Sequence, residues 1–176
     1  MKKWYAMFSQ TGTEIYNLSK TIGRVPDRII TNNNNLEKIN SQLLEECYER
    51  FWTVGSKPTI EEYRLLLEEG DVITMHGWLR IIPSKICNEF AIINLHPAPL
   101  TLYPNLKGKD PQERVFKLNL THSGNTIHKC TSELDSGDIL IESNFALKKN
   151  YSLEDVYTYT HKDALKLWTK FLKKTL

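Results

Sequence analysis

The stretch DVITMHGWLRIIPSKICNEFAIINLH, Asp71 to His96, decides the fold. Its two apolar runs, DVITMHGWL (71–79) and FAIINLH (90–96), lack the alternation of a half-exposed strand. They read instead as central strands covered on both faces. Between them PSKICNEF (83–90) is expected to form a short helix started by Pro83. The pattern continues upstream. WYAMF (4–8) reads as a short buried strand followed by a polar turn, and Thr13 is placed to cap a helix through EIYNLSK. VPDRIIT (25–31) reads as a second strand, ended by the loop NNNN (32–35).

From Leu36 the apolar residues Leu36, Ile39, Leu43, Leu44, Cys47 and Phe51 recur at helical spacing. Thr59 and Glu62 form a capping box for a helix through Leu67, with Gly70 placed to stop it. Downstream, GNTIHKC (124–130) and DILIESNFAL (138–147) are further strand candidates. Ser152 and Asp155 then open a terminal helix with Val156, Thr160, Ala164, Leu167 and Phe171 as its apolar stripe. This alternation predicts an α/β fold: three layers, a Rossmann-like mostly parallel sheet with helices on both faces. The 176 residues, without repeat or linker, are expected to form a single domain, 1–176.

Composition narrows the function classes. The net charge of +2 is too small to argue for nucleic acid or an acidic membrane. The late lysines suit the solvated end of a helix. Cys47, Cys87 and Cys130 are odd in number and widely spaced, which favours a reducing compartment over a disulfide framework. With no membrane-length apolar run and no signal-peptide pattern, a cytoplasmic protein is expected. His76, His122, His128 and Cys130 match no ligand spacing, so no metal is expected. His128 and Cys130 read as core or pocket wall. A homodimer is compatible with the sequence, although no exposed apolar face can be read from it.

Ligands of such sheets bind beyond the carboxyl ends of the strands. There Asn94 and His96 lie two apart, so both side chains point to one side. Prolines 97, 99 and 104 stiffen the loop behind them. In SELDSGDIL (132–140), Asp135 is expected in a tight turn made possible by Gly137. An amide, an imidazole and a carboxylate suit acyl-type transfer without a covalent intermediate. Asn94 and a protonated His96 would donate to the oxyanion. Asp135 would favour the charged imidazole and take the amine's proton. Taken alone, the pattern is equally that of a capped strand end with a hydrogen-bonded histidine.

INLHPAPLTLYPNLKG (93–108) resembles the signature loop of the folate-dependent formyltransferases, and SELDSGDIL resembles their second signature, in the same order and at a similar separation. GWLRIIP (77–83) resembles the segment lining their pterin pocket. The resemblance runs thinly over most of the chain and implies a formyltransferase-type catalytic domain with Asn94, His96 and Asp135 as the catalytic set. It implies 10-formyltetrahydrofolate as donor. Leu79, Arg80, Ile81 and Ile82 would lie along the pterin, the backbone of Arg80 and Ile82 would offer hydrogen bonds, and Leu134 would help close the other side. Trp78 and Tyr103 are read either as pocket walls or as packing residues.

The acceptor implied is a small primary amine: glycinamide ribonucleotide, an amino nucleotide or an amino sugar. Thr11, Gly12 and Thr13 stand where one branch of the family holds the acceptor phosphate on a glycine-rich turn, and Lys162 stands on the last helix where that branch contacts the acceptor. Only Gly12 remains of those glycines, and Glu14 replaces an asparagine. The resemblance also gives the tRNA-formylating branch an additional C-terminal domain and the hydrolase branch an N-terminal regulatory domain; neither is expected within these residues. The alternatives are a 10-formyltetrahydrofolate hydrolase and a non-catalytic folate- or nucleotide-binding module.

Overall fold

A computed structural model of the protein describes residues 2–176. Among the described residues the strands are β1 (Trp4–Phe8), β2 (Arg28–Thr31), β3 (Phe51–Thr53), β4 (Val72–Met75), β5 (Ile92–His96), β6 (His122–Lys129) and β7 (Ile139–Ala146). They form one sheet in the order β3-β2-β1-β4-β5-β6-β7. The first five are parallel to their neighbours, and β6 and β7 add an antiparallel edge. The helices are α1 (Thr13–Ile22), α2 (Ser41–Cys47), α3 (Ile60–Leu66), α4 (Ser84–Glu89), α5 (Pro111–Lys117) and α6 (Leu153–Thr175).

The absence of alternation in the central strands has the expected cause: both faces are covered. Trp4, Ala6 and Phe8 of β1 pack with Ile15 and Leu18 of α1 and with Leu167, Trp168 and Leu172 of α6. The intervening Tyr5 and Met7 join Tyr63 and Leu66 of α3 and Ile86 of α4 on the opposite face. A smaller cluster of Ala98, Leu100 and Leu106 seals the proline-rich loop against Val115 of α5 and Val156 of α6. The three-layer α/β reading therefore holds, and the site lies where β4 and β5 end.

Several elements differ from the sequence expectation. Gly12, in the left-handed region at φ 71, caps α1 in place of Thr13. A Cβ there would meet Leu43 Cδ2 at 2.7 Å, so that side chain would have to shift, and the positive φ itself favours glycine. The helical spacing from Leu36 covers three pieces: a 3₁₀ turn at Leu36–Lys38, α2 capped by the Asn40 side chain, and a second 3₁₀ turn before β3. Phe51, read as the last helical position, instead starts β3 and pairs with Ile29. Apolar spacing cannot show these breaks, because strand pairing is a long-range gain.

Both capping boxes form as read, at Thr59/Glu62 and Ser152/Asp155. α3 ends at Leu66, before Gly70. Pro83 caps α4 rather than opening it. The strand read through Leu79 stops at Met75, leaving Gly77 to Ile82 as loop. α5 was not anticipated, although Asp110-Pro111 carries its start signal, with proline in the first turn.

Candidate active site

β5 divides the site into two faces. Ile93 points into the α1/α6 layer, and Ile92 packs with α3 and α4. Asn94 and His96 therefore face the α3/α4 side, as their spacing predicts. β6 pairs antiparallel with β5 and sets His128 directly opposite Asn94, and Thr126 opposite His96. Facing residues of a ladder project to the same side. His128 thus joins the cluster, a role that sequence reading missed because its partner strand was not assigned.

The β6–β7 loop brings Asp135 onto this face. Its Oδ2 lies 3.1 Å from His96 Nδ1 and accepts a 3.0 Å bond from the Gly108 amide, while Oδ1 lies 3.5 Å from His128 Nε2. The last distance is long for a hydrogen bond, and His128 Nε2 is buried with no closer partner among the described residues. Asp135 itself holds the left-handed conformation, φ 51. An aspartate tolerates that region better than most side chains. Gly137 serves a different need from the one expected of it. A Cβ there would meet the Lys129 carbonyl oxygen at 1.8 Å, so the loop closes only around a bare glycine.

The protonation pattern follows from hydrogen-bond arithmetic. His96 Nε2 lies 2.9 Å from the Leu106 carbonyl, and His128 Nδ1 lies 2.9 Å from the Lys129 carbonyl. A carbonyl only accepts, so each ring keeps a proton on that nitrogen and turns the other toward Asp135. Burial pushes the Asp135 carboxyl upward, but the two imidazoles and the Gly108 amide more than offset it, leaving the group well below the ordinary carboxylate range.

In this arrangement both His96 nitrogens are engaged. The amide of half-buried Asn94 makes no hydrogen bond among the described residues and is the donor free to meet a ligand. His96 would reach an oxyanion only by exchanging its bond to Leu106. The proline-rich loop is held by Thr126, which donates to the Ala98 carbonyl at 2.7 Å and accepts from the Leu100 amide at 3.0 Å. Glu142 accepts from the Thr101 amide at 2.9 Å. Tyr103 packs the loop down.

Of the residues expected along a pterin, Leu79, Ile81 and Leu134 are exposed, and Ile82 is buried in the α3/α4 core. Arg80 is exposed, and its guanidinium donates to the Ser56 carbonyl. Trp78 is core, edge-on to Tyr63. Exposed apolar side chains on loops flanking β5 are the kind of surface a flat ring covers.

On the other face of β5 lies a cleft of about 640 Å³. It is lined by Thr11, Gly12, Thr13 and Glu14 at the start of α1, His76 after β4, Pro97 after β5, Asn125 of β6, and Lys162 of α6. Thr11, Gly12, Thr13 and Lys162 are thus brought together as the sequence implied. The Thr13 amide already donates to Thr11 Oγ1 at 3.3 Å. Exposed Lys162 lies over the Tyr159 ring, 5.4 Å from its centroid. His76 and Asn125 were not anticipated here. Histidine 76 lies across the sheet from His128. Among the described residues no group of three or more His, Cys, Asp or Glu side chains is arranged to hold a metal ion. Nor is any helix long and apolar enough to cross a membrane.

Residues 25–172 match the family described as Formyl transferase. The chain belongs to that family. Among curated relatives, it is 31% identical over 111 residues to phosphoribosylglycinamide formyltransferase of Dictyostelium discoideum, covering 58% of this chain and 54% of that protein. It is 29% identical over 110 residues to methionyl-tRNA formyltransferase of Borrelia recurrentis (strain A1), covering 61% of this chain and 35% of that one. The matches thus span about half or less of these relatives' length. The crystal structure of phosphoribosylglycinamide formyltransferase from Anaplasma phagocytophilum superposes with a TM-score of 0.81 at 25% identity, covering 98% of this chain and 85% of that one.

Proposed function

We propose that this protein, acting as a single catalytic domain, transfers a formyl group from 10-formyltetrahydrofolate to the primary amine of a small acceptor. The observation that carries the reading is the buried contact of Asp135 with His96, beside the free amide of Asn94. A pure binding module has no need of that constellation.

The acceptor nitrogen attacks the formyl carbon, forming a C–N bond and a tetrahedral oxyanion. Asn94 donates to that oxygen, joined by His96 once it leaves the Leu106 carbonyl. Asp135, held ionised, orients the imidazole and takes the proton lost by the amine, directly or through water. Collapse breaks the bond to N10 of the folate, which picks up a proton and leaves as tetrahydrofolate. Leu79, Ile81 and Leu134 offer apolar cover for the pterin, and the backbone of Arg80 and Ile82 its hydrogen bonds. The cleft on the α1/α6 face takes the acceptor; it abuts Leu95 and Pro97, chain neighbours of the catalytic residues. Its volume suits a small molecule.

The test is absorbance-monitored release of tetrahydrofolate, run with and without glycinamide ribonucleotide, an amino nucleotide and amino sugars. Release that depends on an amine supports transfer. Formate release without an amine would replace this reading by hydrolysis, and folate binding without release under any condition by a binding module.

A further inference from the structure

Glu14 and the buried His76 form a hydrogen-bonded pair lining the acceptor cleft. His76, with a fully buried side chain, holds Nδ1 2.6 Å from Glu14 Oε1 and Nε2 2.8 Å from Thr74 Oγ1. Thr74 Oγ1 in turn accepts from Trp4 Nε1 at 2.8 Å. The imidazole also lies against Trp168, ring centroids 4.9 Å apart. His76, two strand residues and a helix tryptophan thus fix one carboxylate, whose side chain keeps 36% of its surface open and lines the cleft. A glutamate serving only as a favourable first-turn charge needs no such support.

Two further observations describe what the cleft asks for. The helix start is a poor anion cradle: Glu14 already places a negative charge there, and the Thr13 amide is taken by Thr11. Asn125, fully buried in the cleft wall, spends its amide nitrogen on the Thr160 carbonyl and Asp163, at 3.0 and 2.8 Å, and leaves Oδ1 without a partner. An unmet buried acceptor is costly, and a donor reaching through the cleft wall would satisfy it. The second oxygen of Glu14 also has no partner among the described residues. The cleft therefore offers acceptors, Glu14 openly and Asn125 behind its wall, while its basic side chains, His161 and Lys162, stand exposed on the α6 rim.

We propose that Glu14 is the acceptor-specificity residue of this chain, with His76 as its positioning residue, and that the cleft takes a neutral amino sugar through its hydroxyls in preference to an amine bearing a phosphate monoester. A carboxylate and an amide oxygen suit hydroxyl donors and repel a phosphate. The inference rests on the formyl-transfer reading only for the fate of the sugar's amine.

The experiment is calorimetric titration of the full chain, without folate, using glucosamine and glucosamine 6-phosphate, which share the amine and differ in charge. Glucosamine is expected to bind at least tenfold more tightly. Glu14→Gln, an isosteric change on a half-open side chain, is expected to abolish that preference. His76→Ala is expected to weaken it, and His76→Asn, which keeps a donor at the Nδ1 position, to restore it. Preference for the phosphorylated amine, binding of neither, or an unchanged ratio in Glu14→Gln would overturn the proposal, and the wild-type ratio needs no variant to fold. Selective glucosamine binding without tetrahydrofolate release would leave this inference standing and remove formyl transfer. Amine-dependent release favouring phosphorylated acceptors would do the reverse.

Discussion

Two histidine–carboxylate pairs sit on opposite faces of the sheet, and their exposures divide their work. In the pair His96–Asp135, at 3.1 Å, both side chains are 5% exposed. In the pair His76–Glu14, at 2.6 Å, the imidazole is sealed and the carboxylate is open to the cleft. The sealed carboxylate serves its imidazoles by holding a charge among them. The open carboxylate is itself served: the imidazole aims it at whatever enters. On the proposed reading, similar chemistry supplies a proton-handling group on one face and a recognition group on the other, according to which partner faces the ligand.

The largest expected effect falls on the sealed pair. Asp135→Asn should lower kcat for formyl transfer by about 10²–10⁴-fold, while near-ultraviolet circular dichroism shows the fold retained. Near-full activity would remove Asp135 from the mechanism. Asn94→Ala should cost about 10²–10³ in kcat with little change in KM for the donor, because the lost bond matures only in the transition state. A change confined to KM would make Asn94 a binding residue instead.

On the open pair the expected cost is to stability. His76→Ala removes one hydrogen bond of buried Thr74, which keeps Trp4 Nε1, together with the ring contact on Trp168, and should lower unfolding free energy by about 1–3 kcal/mol in urea titration. A loss well below that range would mean the pair is not held as described. Acid separates the pairs further. The folded-state Asp135 lies below its ordinary value, so its stabilisation is complete above about pH 4 and is lost as pH falls toward the folded value. The stability gap between wild type and Asp135→Asn should therefore close as pH falls below about 4. A gap that stays fully open down to about pH 2 would contradict this account. The smallest effect concerns Cys130, beside the sealed pair. Burial first, then the neighbouring Cys87 and Asp135, push its thiol up to about 12. Iodoacetamide at pH 8 should leave it unlabelled in the folded protein.

The two pairs also differ in how legible they were. Asn94 and His96 stand two apart on one strand, and strand geometry alone puts them on one side; Asp135 followed from a loop resemblance. His76 and Glu14 are 62 residues apart and meet only through β1 pairing with β4 and α1 packing over it. No local period carries such a contact. The same divide runs through the fold. WYAMF, the two capping boxes and the central strands were readable because their signals are local: run length, cap spacing and burial on both faces. Phe51–Thr53 was not, since a three-residue strand exists only by pairing with β2. His128 likewise gained its place from the antiparallel register opposite Asn94, although its two-residue spacing from Thr126 already put both on one side.

The measurement that reaches the central claim most directly is a product balance. Wild-type protein is given 10-formyltetrahydrofolate and an accepted amine, and tetrahydrofolate, formylated amine and formate are quantified together by mass spectrometry. The account predicts one formylated amine for each tetrahydrofolate, with formate at background. Tetrahydrofolate matched by formate, with the amine unchanged, would contradict it.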